Sequence, residues 1–202
     1  MLAMMWGVVL LVGSAGSAAA QSRTLAPDRT ADDSPIRLTD LMSMMAAVPE
    51  RRAVFHEEKR FAALAEPLES AGHLLYRRPA HLEKITDAPQ AESLVVDGNQ
   101  VSLTGADGQT HVIDLAAQPE LRTLVDAMRG PLAGDGAALE RVFKVSVAGT
   151  RTAWQLDLTP IDPRSARMVA AVHIAGSGSD MRNVLLVQAN GDTQDMSIEP
   201  SA

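Results

Sequence analysis

Past residue 35 the chain is organised by two periods. Leu38, Leu41, Met42, Met45 and Val48 recur at i, i+3, i+4, i+7 and i+10 between Pro35 and Pro49, which predicts one amphipathic helix of about three turns. After Pro49 the period falls to two. Apolar and polar positions then alternate over 54–64, 70–77, 81–86, 93–96, 100–103, 110–115, 141–147, 152–159, 168–174, 183–188 and 194–198, eleven predicted strands in all. Asp97-Gly98, Asp107-Gly108 and Asn190-Gly191 stand between such runs, and these dipeptides supply the positive φ of tight hairpin turns. The pattern predicts a mainly β protein with one antiparallel sheet, strongly curved or closed. Its alternation is clearest at Trp154, Leu156 and Leu158 against Ala153, Gln155, Asp157 and Thr159, one face apolar and the other mostly polar.

Between Pro119 and Gly130 the helical period returns, with Leu121, Leu124, Val125 and Met128 on one face and Gly130-Pro131 as the expected terminator. A short third helical stretch is read around 137–139. The plan is a helix, six strands, a helical insert and five strands, with no repeat of solenoid or propeller period.

Residues 1–20 carry no charged side chain, pass through the apolar block Val8 to Val12, and end in Ser17-Ala18-Ala19-Ala20 before Gln21. This is the pattern of a secretory signal peptide cleaved after Ala20. The competing reading, a membrane anchor, is met by an apolar run shorter than the roughly 20 residues of a spanning helix. Residues 21–35 are polar and aperiodic and read as a flexible leader, leaving 36–202 as a single domain expected in an envelope compartment or outside the cell.

Composition removes several kinds of chemistry. The 202 residues include no cysteine, so no disulfide, thiolate metal site, thiol redox motif or cysteine-linked lipid is available. The formal net charge is −7 and the 18 Lys and Arg are scattered, which argues against nucleic acid and against anionic membrane surfaces. No G-x-S-x-G is present, and Gly176-Ser177-Gly178-Ser179-Asp180 lies between two strands without a following helix. The five histidines lack metal-ligand spacing, Glu57 and Glu58 are strand neighbours that face opposite ways, and Gly134-Asp135-Gly136 has no Lys-Ser or Lys-Thr after it. No catalytic residue, metal or cofactor is expected. Met42, Met44 and Met45 in the first helix fit either an apolar surface that adapts to its partner or the plugging of an ordinary core.

The stretch from Phe55-His56-Glu57-Glu58-Lys59-Arg60-Phe61 through Gly72-His73-Leu74-Leu75-Tyr76-Arg77-Arg78-Pro79, followed by His81-Leu82-Glu83-Lys84, Pro89 and Leu94-Val95-Val96-Asp97-Gly98, resembles the outer-membrane lipoprotein carrier (LolA-like) family. Leu158-x-Pro160 and Asn190-Gly191-Asp192 before Met196 and Ile198 follow the same family's C-terminal half. The resemblance implies an unclosed antiparallel β-barrel of about eleven strands whose concave apolar face is covered by lid helices. It also implies a monomeric periplasmic carrier that takes acyl chains of a lipoprotein from an inner-membrane donor complex and passes them to an outer-membrane acceptor. A lipid-sensing or interaction module without shuttle activity is the second class implied, because related folds occur in periplasmic regulators. Three acyl chains hold about 50 methylenes, so at ~0.8 kcal/mol each roughly 40 kcal/mol of apolar surface needs shielding from water.

In the family the Arg of the R-P dipeptide points into the cavity and hydrogen-bonds the lid, and Arg78 matches that position. Strand alternation carried onto the implied sheet puts Leu74, Tyr76 and Arg78 on the concave face, with His73, Leu75 and Arg77 outward. By the same alternation Leu82, Leu94, Val96, Val101, Leu103, Trp154, Leu156 and Leu158 become candidates to bind lipid, and Leu38, Leu41, Met42 and Met45 the inner face of the lid helix. Where well-known members carry aromatics after the R-P strand, this chain has Leu82-Glu83-Lys84, and aromatics are 3% of the sequence. A softer cavity extends the expected cargo to other lipids, such as a fatty or polyene acyl product.

Overall fold

The structure, a computed structural model, describes residues 34–201; the expected signal peptide and all but the end of the leader lie outside the described residues. Helix α1 spans Leu38–Ala46, and six strands follow: β1 (Glu50–Arg60), β2 (Leu68–Arg77), β3 (His81–Ala88), β4 (Glu92–Asp97), β5 (Gln100–Thr104) and β6 (Thr110–Asp114). Then come a 3₁₀ turn, helices α2 (Pro119–Ala133) and α3 (Gly136–Val142), and strands β7 (Phe143–Gly149), β8 (Trp154–Pro160), β9 (Val169–Ser177), β10 (Asp180–Gln188) and β11 (Thr193–Pro200). The strands form one eleven-stranded antiparallel sheet in the order β6-β5-β4-β3-β2-β1-β11-β10-β9-β8-β7. Among the described residues two meanders are thus joined by one non-sequential pair, β1 with β11, and β6 and β7 are unpaired edges, so the sheet does not close into a barrel.

The turn dipeptides act as their chemistry requires, with Gly98 at φ +57 and Gly191 at φ +89. Register then stacks the concave side chains into rows. Tyr76, Leu82, Val96 and Val101 are successive cross-strand partners on β2 to β5, and Leu74, Lys84, Leu94 and Leu103 form the row beside them. Such opposed pairs are the unit of sheet stabilisation.

Most strand ends lie within about three residues of the sequence expectation, and the larger departures have local causes. β1 begins at Glu50 rather than 54 and ends at Arg60 rather than 64, because Arg51 and Arg52 already pair with Tyr76 and Leu75, and the Ala62 amide bonds the Asp192 side chain instead of a neighbouring strand. α2 does not stop at Gly130-Pro131 but runs to Ala133 and ends at Gly134, which adopts the left-handed conformation. The Pro131 ring and Leu132 are buried there, and Gly130 serves as a packing notch: a Cβ on it would lie 2.6 Å from Leu139 Cδ2 of α3. α3 extends to Val142, so the strand expected from 141 starts at Phe143; Asp135 caps the helix by accepting a hydrogen bond from the Ala138 amide at 2.8 Å.

β2 and β3 approach closely at Gly72, where an added Cβ would sit 1.9 Å from the Ile85 carbonyl oxygen. Since the obstacle is backbone, Gly72→Ala is expected to lower unfolding free energy by at least about 2 kcal/mol in urea titration. A change within experimental error would show that the strands can part at no cost.

Candidate lipid-binding cavity

α2 lies over the concave side of the sheet but does not fill it. Leu121, Leu124, Val125, Met128 and Leu132 face a cavity of about 280 Å³. The opposite wall is the two rows on β2 to β5, from which Leu74, Tyr76, Leu82, Leu94, Val96, Val101 and Leu103 all border the space. Met181, Val184 and Leu186 of β10, Val172 of β9, and Met196 and Ile198 of β11 complete it. The residues that sequence reasoning left out of the site, those of α2, β10 and β11, carried the signal in full: Leu121, Leu124, Val125 and Met128 have helical spacing, and β10 and β11 alternate.

Trp154, Leu156 and Leu158 are buried in the hydrophobic core but do not border the cavity. Leu158 is the cross-strand partner of Val172, so the cavity ends between β9 and β8. Trp154 is a packing residue: its indole crosses Gly176, where a Cβ would lie 2.2 Å from the ring, and its N–H donates to the Gly178 carbonyl at 2.8 Å. Leu75, expected outward, borders the cavity with its register partner Arg52; both lie near the ends of their strands, where alternation separates the two faces least.

α1 is a wedge rather than the ceiling. Leu41, Met42 and Met45 are buried, and Leu38 and Met44 pack partly buried against the same core; none borders the cavity. The helix sits on the α2–α3 junction, where Gly134 and Gly136 admit Met42, Ala46 and Leu38: a Cβ on Gly134 would lie 2.5 Å from the Met42 carbonyl oxygen. Two arginines hold its C-terminal end, where the unsatisfied carbonyls carry the negative pole of the helix. Arg78 donates from Nη1 to the Ala46 carbonyl, and Arg51 donates from Nη2 to the Met45 carbonyl at 2.8 Å. Arg78 is exposed and lies outside the cavity lining, whereas Arg51 borders the cavity. Burial lowers the Arg51 guanidinium from its ordinary pKa.

α2 is held by two further contacts. The Thr123 and Ser165 hydroxyls meet at 2.9 Å in a buried pair, and Arg129 donates to the Gly98 carbonyl in the β4–β5 turn at 2.7 Å. The ceiling is therefore fastened to both halves of the sheet.

One wall of the cavity is ionic. Glu57, 4% exposed, receives Lys84 Nζ at 2.7 Å, Lys59 Nζ at 3.2 Å and the Ser70 hydroxyl at 3.1 Å on a single carboxylate oxygen. Lys84 also stands 4.8 Å over the Phe55 ring. Burial alone raises the Glu57 pKa, but the Lys84 hydrogen bond and the charges of Lys84 and Lys59 outweigh it and hold the carboxyl below its ordinary value. Among the described residues no group of three or more His, Asp or Glu is placed to hold a metal ion.

A family model, outer membrane lipoprotein carrier protein LolA-like, matches residues 30–202. The chain belongs to the LolA-like family. A search of curated proteins finds no match. Among solved structures, a LolA superfamily protein from Nitrosomonas europaea aligns with TM-score 0.44 and 8% identity over 81% of this chain and 92% of that one. The MucA/MucB complex of Pseudomonas aeruginosa aligns with TM-score 0.42 and 16% identity over 82% of this chain, which spans only 57% of the length of that one. A DUF1329 family protein from Desulfovibrio piger gives TM-score 0.45 and 7% identity, covering 80% and 88%. The family assignment rests on the family model.

Lys84→Met leaves the buried Glu57 carboxylate with Lys59 alone, and is expected to cost about 2 to 3 kcal/mol in urea unfolding at neutral pH, the low side of a broken buried pair because Lys84 is partly exposed. Glu57→Leu combined with Lys84→Met should be less destabilised than Lys84→Met alone; a larger loss in the double variant would contradict the charge argument. Because the folded Glu57 value is depressed, its contribution is full above the ordinary glutamate pKa of 4.5 and is lost as pH falls through the lower folded value. Wild-type unfolding free energy should therefore drop across that acidic window, and less so in Glu57→Gln.

Proposed function

We propose that the chain is a non-enzymatic carrier of the cell envelope that shields the acyl chains of a lipoprotein or another lipid in the periplasm and passes them towards the outer membrane. The observation that supports the reading best is the cavity: a folded chain leaves about 280 Å³ of apolar space between two rows of sheet residues and one face of α2. Core packing normally eliminates such space. Membership of the lipoprotein carrier family supplies the class of cargo. The volume lies just under the range of small-molecule sites, so a cargo with several chains requires α1 and α2 to lift. The polar contacts that would yield are those of Arg51 and Arg78 on α1 and of Thr123 and Arg129 on α2, and the buried faces of both helices, Leu41, Met42 and Met45 among them, would part from the core and meet the cargo instead. In this reading Arg78 is a latch, Leu74, Tyr76, Leu82, Leu94, Val96, Val101 and Leu103 touch the acyl chains, and the buried face of α1 transmits latch opening to α2. Donor and acceptor complexes in the two membranes would meet the lid side.

Protein purified from the envelope should yield copurified lipid on solvent extraction and, once freed of it, should bind an environment-sensitive fatty-acid probe that added lipid displaces. Met128→Asp, which sets a carboxylate in the cavity, should weaken probe binding at least about tenfold. Absence of both lipid and probe binding in the wild type would end the carrier reading. Arg78→Leu should speed amide hydrogen exchange across Leu38–Ala46 by roughly threefold to tenfold, with exchange in β2 to β5 unchanged.

A further inference from the structure

Among the described residues three cations border the cavity, and two of them are neutralised at contact distance: Arg52 by Glu50 at 2.8 Å and Lys84 by Glu57 at 2.7 Å. Arg51 makes no ion pair among the described residues. Asp180, the other carboxylate on the cavity wall among the described residues, is bound by Arg182 at 3.2 Å; its charge reaches Arg51, but the two form no contact pair. Arg51 spends Nη2 on the Met45 carbonyl, and its Nε is buried without a partner among the described residues. A cation beside an apolar chamber, with a donor unsatisfied, is stabilised by an anion that arrives with the ligand.

The geometry of the guanidinium says which anion fits. Nε–H and Nη2–H form one edge of the planar fork, the edge that matches the two oxygens of a carboxylate. Here one position of that edge is empty and the other holds the end of α1. The volume limits the tail. At about 280 Å³ the space lies just under the range of small-molecule sites, room for one acyl chain rather than three. Arg51 also heads the row that continues through Tyr76, Leu82, Val96 and Val101, so a tail leaving the guanidinium runs directly onto apolar surface.

We propose that the cavity takes a single-chain lipid with a free carboxylate, which binds the Nε–Nη2 edge of Arg51 and displaces the Met45 carbonyl, so that loading releases the end of α1. This rests on the carrier reading and adds the head group, the number of chains and a second latch inside the cavity.

The test compares palmitate with methyl palmitate on the full chain freed of lipid, by displacement of the uncharged dye Nile red. Wild type is expected to bind the acid on the order of tenfold or more tighter than the ester. Arg51→Gln should bring the ratio below about twofold, and Arg51→Lys should keep part of it. In wild type, palmitate but not its ester should also speed amide exchange at Met45 to Val48, a readout that does not depend on any variant folding. Equal binding of acid and ester overturns the carboxylate proposal and leaves the carrier reading standing. A preference that survives in a folded Arg51→Gln overturns the role of Arg51, and binding of neither compound overturns both readings.

Discussion

The pairing of β1 with β11 is the interaction on which the rest of the molecule depends. Every other strand pair joins neighbours in sequence, whereas this one brings Ala53 to Pro200 and Phe55 to Ile198. Without it there are two separate meanders, each with half of an apolar face. With it, the concave residues of both halves become one floor, and Ala53, Glu57, Met196 and Ile198 on the joined strands border the cavity. Such contacts between distant parts of the chain carry a loop-closure cost that only the completed sheet repays. The helical insert between β6 and β7 then spans the two edges by covalent necessity, which is why α2 covers the concave side.

What could be read from residues alone follows from the range of the signal. The period-two runs and the Asp-Gly and Asn-Gly turns are local, and all eleven strands stand where they predict, with ends shifted by a few residues. Alternation also gives the correct face for Leu74, Tyr76, Leu82, Leu94, Val96, Val101 and Leu103. It cannot say which part of an apolar face is packed by a helix and which part stays empty. Trp154, Leu156 and Leu158 obey the same alternation, yet they belong to the filled part. The end of α2 was obscured for a similar reason: Gly130-Pro131 is a local stop, and burial of Pro131 and Leu132 with the α3 contact at Gly130 overrides it.

The polar features needed tertiary register. Glu57 and Lys84 lie on strands separated by β2, and nothing near either residue in sequence announces the other. Arg51 sits among charged neighbours at the start of β1, where an exposed residue is the ordinary expectation; only the fold turns it inward beneath α1. Two arginines, one on β1 and one in the turn after β2, thus reach consecutive carbonyls of one helix end, one from outside the cavity and one from its wall. The same helix end is therefore sensed by solvent on one side and by whatever occupies the cavity on the other.

The division of labour between sheet and α2 has a consequence for inheritance. The five α2 side chains that face the cavity take no part in the strand ladder, and the backbone that carries them forms its hydrogen bonds within the helix. Substitutions there can reshape the ceiling without disturbing register or the β1–β11 junction. Descendants of one ancestral sheet can thus diverge in the shape of the chamber while their architecture stays fixed.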